Sequence, residues 1–121
     1  MTSSVFIYAD APLQPKGLTC EYIQNPLGID GKQPRFTWNF ISGGRNQMQS
    51  AYELIVSDNL KSIQQSVGNM WSAGKVTSSQ SIQIEYNGQP LKSFTRYYWR
   101  VKVYNQNNDA SVWSKINFFE T

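Results

Sequence analysis

The stretch that most constrains this chain is TRYYWRVKVYN, residues 95–105. Tyr97, Trp99, Val101 and Val103 fall on one side of an extended backbone there, and Tyr98, Arg100, Lys102 and Tyr104 fall on the other. Successive side chains of a strand point to opposite faces. The alternation therefore predicts a half-buried strand with an aromatic and aliphatic inner face and a cationic and aromatic outer one. The rest of the chain can be placed by asking what covers the inner face and what the outer face is for.

Several other segments alternate in the same way. Residues 17–23 put Leu18, Cys20 and Tyr22 on one side, and residues 35–41 do so with Phe36, Trp38 and Phe40. Trp38 is the natural partner for the Trp99 face. Residues 51–57 set Tyr52, Leu54 and Val56 against Glu53, Ile55 and Ser57. The period then changes: Asp58 or Asn59 can cap a short helical turn carrying Leu60, Ile63 and Val67, with Gly68 as its stop. Residues 70–76 read as a short edge strand, residues 81–86 as a strand with Ile82, Ile84 and Tyr86 in register, and residues 112–119 as the last strand. Turn signals stand between them at Asn25-Pro26-Leu27-Gly28, at residues 42–46 and at Asn87-Gly88, with a polar loop over 105–109. About seven strands spaced about 8–15 residues apart describe an all-β fold, a two-sheet antiparallel sandwich. Leu91 followed by Thr95, Arg96 and Tyr97 also fits a tyrosine corner, in which the Tyr97 hydroxyl bonds to backbone just upstream. Residues 1–16 end in Pro12-Leu13-Gln14-Pro15 and read as a leader outside a domain of residues 17–121.

Composition narrows the chemistry. The 121 residues form one domain, large enough to bury a core without staples. Aromatic residues make up 14%, which suits rings packed on a pleated surface. Net charge is only +3, and the eleven Lys and Arg are scattered from Lys16 to Lys115 without a run, so no nucleic-acid footprint is expected. The single cysteine, Cys20, allows no internal disulfide and reads as a small buried hydrophobe. There is no histidine, which removes His-based triads and most zinc sites. No DxDxDG-type calcium loop appears, and the eight acids are isolated rather than paired as glycoside hydrolysis needs. No catalytic residue, metal ligand or cofactor is assigned. No apolar run is long enough to suggest membrane insertion. Residues 3–8 followed by Ala9-Asp10-Ala11 look like the end of a secretory signal with a small-x-small cleavage site, but lack its basic start. A retained remnant would make the protein periplasmic or extracellular; a flexible leader is the competing reading.

A resemblance enters on particular residues. Leu91, the run from Thr95 to Val101, and Trp38 on an early strand resemble a fibronectin type III domain. The match narrows with Cys20-Glu21-Tyr22, Asn25-Pro26-Leu27-Gly28-Ile29-Asp30, Pro34-Arg35-Phe36-Thr37-Trp38, Gln49-Ser50-Ala51-Tyr52, Trp71-Ser72-Ala73-Gly74-Lys75-Val76 and Trp113-Ser114. In that order and spacing they resemble the N-terminal fibronectin III-like (immunoglobulin-like) domain of bacterial α-L-rhamnosidases of glycoside hydrolase family 78, over residues 17–121. The sequence departs at Ser72-Ala73, where the family commonly has an acidic residue and serine. The resemblance implies a non-catalytic accessory domain, because the family's hydrolytic carboxylates lie in a separate domain further along the polypeptide. Its partners would be other domains of the same polypeptide.

Two readings compete for the outer face. Trp71, Tyr98, Tyr104 and Trp113 could stack on the apolar faces of sugars, which would make the chain a carbohydrate-binding module for rhamnose-containing polysaccharide. Alternatively, Trp71 and Trp113 plug sandwich edges, and Arg100 and Lys102 stack on Trp113. The second is preferred. Aromatics and arginine also suit an interface at Tyr98, Arg100, Tyr104 and Trp113. The loop over 25–32 is the next candidate contact, since Leu27 and Ile29 would be wasted in solvent. The structural core is expected at Trp38, Tyr52, Tyr97, Trp99 and Val101.

Overall fold

The computed structural model describes residues 13–30, 33–41 and 47–121. Among the described residues eight strands and one short helix follow in order: β1 (Gln14–Cys20), β2 (Arg35–Ile41), β3 (Gln49–Ser57), α1 (Leu60–Gln64), β4 (Trp71–Ser72), β5 (Val76–Thr77), β6 (Ile84–Glu85), β7 (Arg96–Asn105) and β8 (Asn117–Glu120). One sheet runs β1-β2-β6; the other runs β4-β3-β7-β8, with β5 also on β3, and every pairing is antiparallel. This is the two-sheet sandwich that the alternation predicts.

The two sheets are joined by rings. Tyr97, Trp99, Val101 and Val103 of β7 are buried, as are Phe36 and Trp38 of β2 and Tyr52, Leu54 and Val56 of β3. Phe36 sits at the centre, 4.6 Å from Trp99 and 5.8 Å from Phe119 between ring centroids. Trp38 shares this core with the Trp99 face, and its own ring contact is with Tyr52, edge-on at 5.2 Å. Offset and edge-on ring pairs of this kind add to area burial. Trp38 Nε1 donates to Gln49 Oε1 at 3.0 Å, and Gln49 Nε2 donates to the carbonyls of Ser78 and Gln80 at 3.1 and 2.8 Å. A buried glutamine is tolerated there because its amide is fully partnered. The tyrosine corner is present: Tyr97 Oη accepts the Lys92 N–H at 2.8 Å.

Strand ends differ from the sequence reading where the backbone leaves the extended region. β1 starts at Gln14 and Leu13 is fully buried, so residues 13–16, expected in a leader, belong to the sandwich. Pro15 is accommodated because β1 is an edge strand. Between Lys16 and Thr19 the register slips by one residue, with Gly17 at φ +60, and this glycine bulge turns Leu18 and Cys20 inward. β1 ends at Cys20 rather than at Ile23, because Glu21 and Tyr22 take left-handed φ values of 50 and 67 and leave Tyr22 exposed. Cys20 itself is buried, and desolvation pushes its thiol up to about 12, so it stays neutral.

The helix is capped by Asn59, whose side chain accepts the Ser62 N–H at 2.8 Å. Only Ile63 of its expected stripe is buried; Leu60 and Val67 are exposed, because one turn cannot carry a full face. Ser66 at φ 59, not Gly68, ends it. Gly68 is needed for space, since a Cβ there would lie 2.3 Å from the Trp71 carbonyl oxygen and 2.8 Å from Ile55 Cβ. The expected strand over 70–76 divides into β4 and β5 around Gly74 at φ +70. That over 81–86 shrinks to β6, because Gln83 at φ 57 turns Ile82 out of register and into solvent.

The expected strand over 112–119 is ordered only from Asn117. Before it, Ser111 and Ser114 follow β7 by a different device. Their N–H groups donate to the carbonyls of Val103 and Val101, both at 2.8 Å, and their hydroxyls accept the N–H of Val103 and Val101 at 3.0 and 3.1 Å. The two serines thus satisfy the free edge of β7 while the residues between them, with Val112 at 68% exposure, loop outward. The expected leader over 1–12 and the turn over 42–46 lie outside the described residues.

Candidate functional site

The outer face of β7 forms a closed network of its own. Lys102 and Glu53 are cross-strand neighbours, with Nζ 3.9 Å from Oε2. The Lys102 ammonium also lies 4.8 Å from the centre of the Trp113 ring. Tyr104 donates its hydroxyl proton to Glu53, which pushes the phenol up to about 12, and Lys75 sits over the Tyr104 ring at 4.2 Å. Lys75 in turn donates to Asn108. Arg100 does not join Lys102 on Trp113. Its Nε donates to the Ser114 carbonyl at 2.8 Å and its Nη1 to the Ile63 carbonyl at 3.4 Å, tying β7 to the helix and to the serine segment. Tyr98 is half-buried beside them. Every charge on this face finds its partner within the domain.

Trp71 is also engaged. Lying on the edge strand β4, it packs 6.4 Å from Phe36 and 5.4 Å from Tyr86 between ring centroids, half-buried against the core. Beside it runs a cleft of about 460 Å³ whose walls include Tyr52, Gln80, Gln83, Glu85 and Asn87. The lining of that cleft combines two aromatic rings, Tyr52 and Trp71, with polar side chains.

A second, more apolar feature lies at one end of the sandwich. A groove of about 760 Å³ lies between the loop at 25–30, the loop at 90–95 and the end of β8, lined by Gly28, Ile29, Leu91, Phe94 and Thr121 among others. Its walls are held by backbone. Ile29 N–H donates to the Glu120 carbonyl at 2.8 Å, and Glu120 N–H to the Pro26 carbonyl at 2.9 Å. Asn25 Oδ1 accepts the Phe118 N–H at 2.9 Å. On the other wall, Phe94 N–H donates to the Thr121 carbonyl at 3.1 Å and Thr121 N–H to the Thr95 carbonyl at 3.0 Å. Ile29 and Leu91 pack inward on the core, whereas Leu27 is 67% exposed and Phe94 97% exposed.

Carboxylates elsewhere serve the frame. Glu21 takes a two-pronged hydrogen bond from Arg35 at 3.0 and 2.9 Å, which lowers its pKa from the ordinary value. Glu120 is bonded by Arg96 at 2.7 Å, with the guanidinium 3.9 Å from the centre of the Phe118 ring. Asp58 is held by the amides of Asn69 and Asn59, which lower its pKa. Among the described residues no group of three or more Cys, Asp or Glu is placed to hold a metal ion.

Two antiparallel sheets closed over a ring core, with a tyrosine corner at the start of β7, define an immunoglobulin-like β-sandwich. Residues 15–121 match a family model described as the Rha78A-like, N-terminal immunoglobulin domain, and the chain belongs to that family. It is similar to an α-L-rhamnosidase of Formosa agariphila, 38% identical over 96 residues that make up 79% of this chain and 10% of the relative. Among solved structures it superimposes on the α-L-rhamnosidase from Dictyoglumus thermophilum with a TM-score of 0.87 and 39% identity, covering 89% of this chain and 12% of that one. The α-L-rhamnosidase of Streptomyces avermitilis, solved in complex with L-rhamnose, gives 0.85 and 37%, covering 90% and 10%. The chain thus spans about a tenth of the length of the relatives it matches.

Proposed function

We propose that this chain is a non-catalytic accessory domain of an α-L-rhamnosidase, which packs against the catalytic region and supports it. The observation that carries this reading is the match to rhamnosidases confined to about a tenth of their length. The roles of the carboxylates agree with it, since Glu21, Glu53, Asp58 and Glu120 are each engaged in holding the sandwich together. Export to the periplasm or exterior is part of the same proposal, resting on the small-x-small segment at Ala9-Asp10-Ala11. The purified 121-residue chain is expected to unfold cooperatively yet release no rhamnose from an aryl rhamnoside. Turnover that co-purifies with the folded chain would end the reading.

A second reading, carbohydrate binding, is favoured by the cleft along Trp71, which Tyr52, Gln80, Gln83, Glu85 and Asn87 also line. Titration with rhamnose oligosaccharides, followed by tryptophan fluorescence, separates the two. A saturable shift lost in Trp71→Ala supports it, and an unchanged spectrum at millimolar sugar leaves the accessory role.

A further inference from the structure

Phe94 is held in a conformation that works against it twice. Its φ is +54, a left-handed value that side chains with a Cβ adopt reluctantly and that Gly or Asn would occupy with less strain. Its ring is 97% exposed. Among the described residues the other aromatic residue at positive φ, Tyr22, has partners within the chain, with Arg35 5.6 Å from its ring centre and its hydroxyl taken by Gln83. Phe94 makes no ring contact among the described residues. Residues held in strained backbone by their surroundings concentrate at functional sites. The surroundings here are four hydrogen bonds linking residues 94 and 95 to the backbone and hydroxyl of Thr121, so the strained residue is tied to the residue that follows β8.

We infer that the groove between Ile29, Leu91 and Phe94 holds the polypeptide that follows Thr121, clamping the next part of a rhamnosidase onto this end of the sandwich. The inference rests on the accessory-domain reading above and adds its docking surface and occupant. Three observations single out that occupant. Thr121 lines the groove itself and is hydrogen-bonded by both of its backbone groups, so a chain continuing from it starts at the groove that Phe94 lines. The relatives are about ten times longer than the matched stretch, and the family is described as an N-terminal domain. Apolar lining comes from both sides, Ile29 from the loop at 25–30 and Leu91 and Phe94 from the loop at 90–95, as a clamp around one inserted segment requires. Burial of apolar surface supplies the driving force.

The test uses the full-length polypeptide in three forms: native, Phe94→Asn, and lacking this domain. Asn tolerates the left-handed backbone and removes the ring, so the fold of the sandwich is preserved; Leu27→Ser probes the exposed part of the loop that carries Gly28 and Ile29 without touching the backbone strain. Limited proteolysis just beyond Thr121 is expected to run about tenfold faster in Phe94→Asn, because the segment is released to local opening. The melting midpoint of the 121-residue chain alone is expected to stay level or rise with the same substitution. If deletion destabilises the remainder while both point variants are cleaved at the native rate, the accessory role stands and the groove is not the dock. If Phe94→Asn instead dissociates a dimer in sedimentation with no change in cleavage, the occupant is a second copy and the inference is overturned.

Discussion

The outer face of β7 and the Phe94 end of the sandwich look alike in composition and behave oppositely. Both carry aromatic residues. On β7, Trp113, Lys102, Glu53, Tyr104 and Lys75 form one chain of contacts, each ring met by a cation and each charge by a partner. At the groove, Phe94 faces outward, largely uncovered by the described residues, as does Leu27 on the neighbouring loop, and the backbone under Phe94 is strained. A surface that has satisfied itself gains little from a partner. A surface that has not is where burial still has free energy to give.

The comparison can be broken most severely from below, through the core that both surfaces share. Phe36→Ala removes the ring that touches Trp99, Phe119 and Trp71, and should cost about 3–5 kcal/mol in chemical unfolding. A loss under about 1 kcal/mol would mean that the sheets are not joined there. Tyr97→Phe keeps the stacking on Phe119 at 5.4 Å but strands the Lys92 N–H, and is expected to cost about 1–2 kcal/mol. That variant should also loosen residues 92–94 in hydrogen exchange, since the hydroxyl anchors the loop that carries Phe94. Trp113→Ala sharpens the contrast from the other side. It removes one half-exposed cation–π contact and should cost under about 1 kcal/mol.

The alternation along β7 makes its inner face legible in the sequence, because a period of two on a half-buried strand assigns every side chain to one face or the other. Trp38, Tyr52, Tyr97, Trp99 and Val101 all lie in the core. The tyrosine corner and the Lys102–Trp113 contact are legible for the same local reason. Irregular backbone is not. Tyr22, Ile82 and Val112 read as strand residues yet are exposed, because left-handed residues or the Ser111 and Ser114 bonds re-aim the chain in ways periodicity does not record. Gln49 passes for an ordinary polar residue, since its partners are 11 to 31 positions away. The groove is half legible: Ile29, in the loop singled out from the sequence, marks one wall, but Phe94 carries no signal. Its exposure follows from hydrogen bonds to Thr121 that only the folded chain brings together.

The most direct measurement is to add the 121-residue chain back to a rhamnosidase polypeptide lacking this domain and follow association by calorimetry. The native chain and Trp113→Ala are expected to bind alike, and Phe94→Asn roughly tenfold or more weaker. Weakened binding by Trp113→Ala, with Phe94→Asn unaffected, would place the functional surface on β7 and contradict the account.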